Sequence, residues 1–442
     1  MNTESESSPV NLPQWLDYIS RIHPREIELG LARVQEVATA LDLARPAPQV
    51  ITVAGTNGKG TTVSCLEAIL HAQGVRCGTY TSPHIHRFNE RIHINGKEAS
   101  DSDICRAFAL IDQKRGQVSL SYFEFATLAA LYLMQKAAIE VAILEVGLGG
   151  RLDAVNIIDP DVSIITSISM DHEDWLGNDR DTIALEKAGI LRQGKPFICG
   201  DEVPPSSLLA RAAELHCQYY QWQREFHLGS SGTDRWLWRG QEPPGNAVEL
   251  ELRLPRGMLP SNVGCALQAL ALLPQRFPAG NIDVVLQKAQ VPGRQEWRED
   301  RRTGVQVLLD VAHNPASARA LADCISNWRS SIKNDAQVTV VLAVMADKKV
   351  EDMAVCLQSN TDIWYIAHFE DPRGLSSDLL QLRLLKSGFK RPLKRFDSLL
   401  EAYGEACNQA AANQDQLTEQ LVVVTGSFMT VAALRNATRN PG

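Results

Sequence analysis

Short apolar runs of strand length alternate with helix-patterned stretches in this chain, and they do so twice. VITVA (50–54) leads into TTVSCLEAILHAQG (61–74), VRCGTY (75–80), FATLAALYLMQKA (125–137), VAILEVG (141–147) and VSIITSIS (162–169). Such alternation predicts a mostly parallel sheet with helices on both faces. A second series runs through VQVLLDVA (305–312), VTVVLAVMA (338–346), DIWYIAH (362–368) and LVVVTGS (421–427). It predicts a second, smaller doubly wound α/β domain. The length, 442 residues, exceeds one ordinary core. The linker VPGRQEW (291–297) suggests domains of 1–292 and 293–442. LARVQEVATALDL (31–43) and PSNVGCALQALALL (260–273) read as helices. Residues 218–257, rich in Trp, Gln, Arg, Gly and Pro, read as short antiparallel strands and loops with no site.

A formal net charge of −8 argues against a nucleic-acid partner, which calls for a basic face. A small anionic substrate then requires a locally positive site. The nine cysteines include no CxxC pair, which points to free thiols in a reducing compartment. The start, MNTESESSPVNLPQWL, lacks a basic region followed by an apolar one, so it is not read as a signal peptide. No apolar run approaches the ~18 residues of a membrane span. The expectation is a cytoplasmic protein with no membrane partner.

GTNGKGT (55–61), between a strand and a helix, looks like a phosphate cradle in shortened form. Backbone N–H groups at a helix start favour anions, and Lys59 adds a mobile cation. Gly58 and Gly60 let the backbone approach the ligand. The alternative is a tight turn carrying an exposed lysine. Its company favours the cradle. TSPHIHRFNERI (81–92) sets Ser82, His84 and Arg91 after a strand, and LEVGLGGRLDAVN (144–156) ends a strand at Glu145. SMDHEDW (169–175) brings His172 to another strand end. Ligands of open α/β sheets sit beyond the carboxyl ends of strands, so three ends converge on one crevice. Taken singly, Ser82 also reads as a turn serine before Pro83, and Glu145 as a capped strand end. His172 also reads as a loop histidine pairing with Asp171 or Glu173.

From about residue 12 to about 435 this series of motifs resembles the bacterial folylpolyglutamate synthases of the bifunctional dihydrofolate synthase type. These group with the UDP-muramoyl peptide ligases as ATP-dependent amide ligases. The resemblance implies a P-loop ATPase-type domain followed by a Rossmann-like one. It implies that L-glutamate is joined to dihydropteroate and to reduced folate polyglutamates at the expense of ATP. By resemblance Thr56, Asn57, Gly58, Lys59, Gly60 and Thr61 hold the triphosphate, and Ser82, Glu145 and His172 bind magnesium, as two ions. The family pattern also admits potassium. Lys59, His172 and Lys187 would serve catalysis, Lys187 (in EKAGIL) as a carbamate. Asn262, Arg294, Asp310 and His313 match ATP contacts between the domains, and His313 also suits the incoming glutamate. Three patches would hold the pterin: Glu28, Leu29 and Gly30; Ser121, Tyr122, Phe123 and Glu124; and Leu152, Asp153 and Ala154. Asp153 would accept from the amidine-like edge and Phe123 would stack on the ring, though Phe123 also reads as core packing. Ser427 in VTGSF reads equally as a substrate contact or a simple turn. A muramoyl peptide ligase is the alternative substrate class, but only about 45 residues precede the loop, too few for that group's UDP-sugar domain. A P-loop ATPase without ligation leaves Glu145, His172 and Arg294 unexplained. A monomer is expected.

Overall fold

The computed structural model describes residues 9–25, 28–232, 234–274, 277, 282–289, 291–332, 335–369, 371–413 and 418–438. The acidic start, MNTESESS, lies outside them. The chain divides into two compact units: residues 1–255 with 259–289, and residues 256–258 with 290–442.

The first unit is built on an eight-stranded sheet. Its strands are β1 (Gln49–Ala54), β2 (Cys77–Tyr80), β3 (Ile92–Ile94), β4 (Lys97–Glu98), β5 (Val141–Glu145), β6 (Val162–Ile165), β7 (Pro196–Cys199) and β8 (Gln218–Gln221). They lie in the order β4-β3-β2-β5-β1-β6-β7-β8. From β2 to β8 all pairs are parallel, while β3 and β4 add an antiparallel edge. The helices are α1 (Leu12–Arg21), α2 (Ala32–Ala40), α3 (Lys59–Ala72), α4 (Asp101–Arg115), α5 (Tyr122–Lys136), α6 (Glu173–Leu176), α7 (Arg180–Lys187), α8 (Ser206–Glu214), α9 (Pro260–Ala271) and α10 (Asp283–Lys288). β1 and β5 are buried almost throughout, as expected of apolar strands covered on both faces. α5 starts with a capping box, in which Ser121 Oγ accepts from Glu124 N at 3.3 Å and Glu124 Oε2 accepts from Ser121 N at 2.7 Å. Gly74, at φ 76°, follows the end of α3 in the left-handed conformation that glycine adopts without strain.

Residues 218–257 depart from expectation in one respect. β9 (His227–Ser230), β10 (Trp236–Glu242) and β11 (Asn246–Leu252) do form an antiparallel sheet. Gln218–Gln221, however, extends the main sheet in parallel, with Tyr219 stacked on Phe197 at 5.3 Å. An edge strand with one wet face carries no continuous apolar run, so its pattern merges with the loops that follow.

The second unit has its own six-stranded sheet, from β12 (Glu296–Glu299), β13 (Gln306–Asp310), β14 (Asp335–Leu342), β15 (Ile363–Ile366), β16 (Leu393–Arg395) and β17 (Thr418–Thr425). The order is β12-β13-β17-β14-β15-β16, parallel except for β12. The supposed linker therefore contains a strand, the antiparallel edge Glu296–Glu299. Around the sheet lie α11 (Pro315–Ser331), α12 (Val350–Leu357), α13 (Ser377–Lys386), α14 (Leu399–Asn413) and α15 (Phe428–Thr438). One core cluster includes Leu308, Leu321, Ile325, Trp364 and Leu380; another includes Val307, Val341, Ala402, Ala406 and Val424. Neighbouring β13 residues, Val307 and Leu308, thus point to different cores, as the two-residue period of a strand requires.

Candidate functional site

Four adjacent parallel strands, β2, β5, β1 and β6, end on one edge of the first sheet. The segment after β1 is the phosphate-type loop. It is held by the segment after β6. Thr56 N donates to Ser167 O at 2.8 Å, Asn57 N to Ser167 Oγ at 3.0 Å, and Ser169 N to Thr56 Oγ1 at 3.0 Å. Thr166 Oγ1 donates to Asn57 O at 2.7 Å. Two glycines make this fit achievable. At Gly55, φ 145°, a Cβ would sit 1.9 Å from Thr166 Oγ1; at Gly58, φ 91°, it would sit 2.2 Å from Asn262 Oδ1. Lys59 Nζ lies 3.0 Å from Gly55 O and 3.4 Å from Thr56 O, so the cation rests on its own loop. Thr61 is buried in the first turn of α3.

Asn262 belongs to this same cradle. It is buried on α9 inside the first unit, and Thr62 Oγ1 donates to its carbonyl at 3.4 Å. Helical packing brings α9 onto α3 and seats Asn262 against Gly58.

The segment after β2 and the end of β5 also meet. Ser82 N donates to Glu145 Oε2 at 3.1 Å, and the buried Glu145 carboxylate lies 3.9 Å from where a Gly60 Cβ would be. A carboxylate and a hydroxyl beside a phosphate-type loop are hard oxygen donors of the kind magnesium takes. His172 occupies the loop after β6, exposed and at φ 50°, with its N–H donating to Asp171 Oδ1 at 3.0 Å. Among the described residues no three His, Cys, Asp or Glu side chains form a ready cluster, which a Ser–Glu–His set would not. His84 is otherwise engaged: its Nδ1 accepts from Arg91 Nε at 2.8 Å, and burial with the Arg91 charge lowers its pKa to about 4.

Lys187 ends α7 and is 3% exposed. The glycine loop packs closely here, since a Cβ at Gly150 would lie 2.9 Å from Lys187 O. Burial, then the Lys59 charge, lowers the Lys187 pKa to about 7, against a smaller opposing pull from Asp171.

The three expected pterin patches come together. Gly30 N donates to Leu152 O at 3.3 Å, and Arg33 pairs with both Glu28 and Glu124. A Cβ at Gly147 would lie 2.6 Å from Phe123 Cζ and 3.3 Å from Asp153 Oδ2, so both side chains close on one glycine. Phe123 is half-buried, 5.9 Å from Tyr80. Tyr122 packs on the Arg91 guanidinium at 5.5 Å. Asp153 is buried beside Ala154. Its oxygens accept from Val155 N at 3.0 Å and Leu148 N at 2.9 Å, and burial raises its pKa to about 6 against those bonds.

In the second unit, Arg294 lies 4.9 Å over the Phe428 ring, whose centroid is 6.0 Å from that of His313. His313 Nδ1 is 2.8 Å from Val311 O, which fixes the proton on Nδ1, since a carbonyl can only accept. Asp310 is buried at the end of β13 and accepts from Gln295 N and Ala312 N, each at 2.8 Å. Burial raises its pKa, and Arg294 opposes this. Ser427 is a helix cap: its Oγ accepts from Thr430 N at 3.0 Å.

Comparison with known proteins follows the same lines. Residues 53–218 match the Mur ligase middle domain, and 293–428 match the Mur ligase glutamate ligase domain. The dihydrofolate synthase/folylpolyglutamate synthase of Escherichia coli is 40% identical over 430 residues, covering 97% of this chain and 96% of that one. The structure of E. coli FolC in complex with DHPP and ADP superposes with a TM-score of 0.86 at 39% identity, covering 97% of each chain. A bifunctional folylpolyglutamate synthase/dihydrofolate synthase with Mn, AMPPNP and L-glutamate bound gives 0.85 at 40% identity, over 98% of this chain and 100% of that one.

Proposed function

Because this chain belongs to the dihydrofolate synthase/folylpolyglutamate synthase family of Mur ligases, we propose that it joins L-glutamate to 7,8-dihydropteroate, and to folate polyglutamates, with cleavage of ATP. One observation carries the reading: the phosphate-type loop after β1 neighbours the Ser82–Glu145 pair after β2 and β5, and past β5 Phe123 of α5 and Asp153 close on Gly147.

A carboxylate is a poor electrophile. One of its oxygens attacks the γ-phosphorus, the bond to ADP breaks, and an acyl phosphate forms. The glutamate nitrogen then attacks the acyl carbon, loses a proton, and inorganic phosphate departs. The backbone N–H groups around Gly58 and Gly60, with Thr56, Asn57 and Thr61, hold the triphosphate, and Lys59 moves from its loop carbonyls onto the outer phosphates. Asn262 closes the cradle on one side. Ser82, Glu145 and His172 would hold magnesium, which would supply positive charge against the phosphoryl oxygens. Asp153 accepts from the pterin edge and Phe123 covers its face; the 28–30, 121–124 and 152–154 segments form the wall. In the second unit Arg294, Asp310 and His313 would contact the nucleotide. A buried lysine with lowered pKa supplies the neutral amine that carbon dioxide needs, which supports carbamylation of Lys187. Activity should then depend on bicarbonate, and Lys187→Ala should lose at least 90% of turnover; a fully active variant would remove the carbamate.

Purified protein given ATP and glutamate should release ADP only when dihydropteroate or tetrahydrofolate is added, and each acceptor should gain glutamate. ADP release without an acceptor, or an acceptor left unchanged, refutes the assignment. Oxygen-18 in the acceptor carboxylate should appear in the inorganic phosphate.

A further inference from the structure

Arg33, in the first turn of α2, bonds two acids that lie on separate pterin segments. Its Nη1 pairs with Glu28 Oε1, and its Nη2 donates to Glu28 O at 3.1 Å and to Glu124 Oε1 at 3.0 Å. Residues 33 and 124 are 91 positions apart. The remaining oxygens of both acids are also taken. Glu124 Oε2 accepts from Ser121 N at 2.7 Å, and Glu28 Oε2 lies 3.1 Å from His23 Nε2. The other nitrogen of that imidazole is 2.8 Å from Ser119 Oγ. Glu124 is 3% exposed and Glu28 is 31% exposed. Two carboxylates so close repel one another, and one guanidinium between them turns that repulsion into a bridge. Glu28 and Glu124 are thus tied to one another through Arg33.

We infer that Arg33 is a positioning residue for dihydropteroate: acting through Glu28 and Glu124, it holds residues 28–30 against the start of α5, so that the pterin wall is assembled before the substrate arrives. The inference rests on the pterin reading above. A preassembled wall spares the substrate the cost of ordering it, and that saving belongs to binding and not to the chemical step.

The test is steady-state kinetics of Arg33→Met and Arg33→Lys, with dihydropteroate and ATP varied in turn. Arg33→Met should raise the KM for dihydropteroate at least tenfold, with kcat within threefold and the KM for ATP unchanged. Arg33→Lys should recover part of this but stay at least threefold above wild type, because an ammonium lacks the planar fork that spans both acids. An unchanged dihydropteroate KM in either variant overturns the inference. So does an equal rise in both KM values, which marks general loss of structure. If Arg33→Met does not fold, Arg33→Lys decides by the same criteria. Failure of the functional reading looks different: the wild-type protein itself would leave dihydropteroate unglutamylated.

Discussion

Asp153 pays for its place with an unfavourable ionisation. Its pKa lies near 6 in the fold against an ordinary 3.8, because burial outweighs the backbone N–H bonds it accepts. An acid whose pKa rises on folding contributes stability at low pH, and that contribution is lost as pH climbs from 3.8 through about 6. Recognition of a donor edge needs the opposite form, the carboxylate. Dihydropteroate KM should therefore increase as pH falls below about 6, with ATP KM steady across that range. Asp153→Asn should abolish this pH dependence and raise the KM about tenfold, which is ~1.4 kcal/mol. A pH-independent wild-type KM would remove Asp153 from pterin recognition. At this scale Lys59, Glu145 and Asp153 were legible, since strand ends and glycine loops announce them. Asn262 was named by resemblance alone, and Arg33 was not named. Their partners, Gly58 and Glu124, are remote in sequence, and only packing of α9 on α3 and of α2 beside α5 joins them.

Among the elements, long apolar runs were readable and short or wet-edge pieces were not. The apolar run placed helix α5 from residue 125, whereas it begins at Tyr122 behind a capping box written as Ser121-x-x-Glu124. Ser121→Ala removes the side-chain acceptor for Glu124 N and should cost about 1 kcal/mol, measured by urea denaturation. Pterin binding should weaken with it, because Ser121 and Phe123 share that first turn. A midpoint unchanged from wild type would show the cap to be idle. The hairpin of β3 and β4 escaped detection, although Asn95-Gly96, at φ 51° and 75°, is the turn that such hairpins favour. Its strands are three and two residues long, too short for alternation to register. β12 reads EWRE and so looks like a linker, yet charge is what an exposed edge strand carries.

For the whole molecule, two alternating series of strands and helices correspond to two compact units. The second has apolar cores that draw only on its own residues. A fragment of residues 291–442 should consequently fold alone and unfold in one cooperative thermal transition, followed by circular dichroism. A fragment without a transition would mean that its cores are insufficient by themselves. No helix among the described residues is long and apolar enough to cross a membrane. Composition carried nothing about order within the sheets, because strand order follows from crossovers and not from residue counts.

Lys59 is parked on two neutral carbonyls of its own turn. Bonds from a charged donor are each worth about 1.5–3 kcal/mol, so the ammonium leaves this turn for an acceptor that is itself charged. The turn is thus a berth for the cation, which keeps it close to the helix start where an incoming anion would settle.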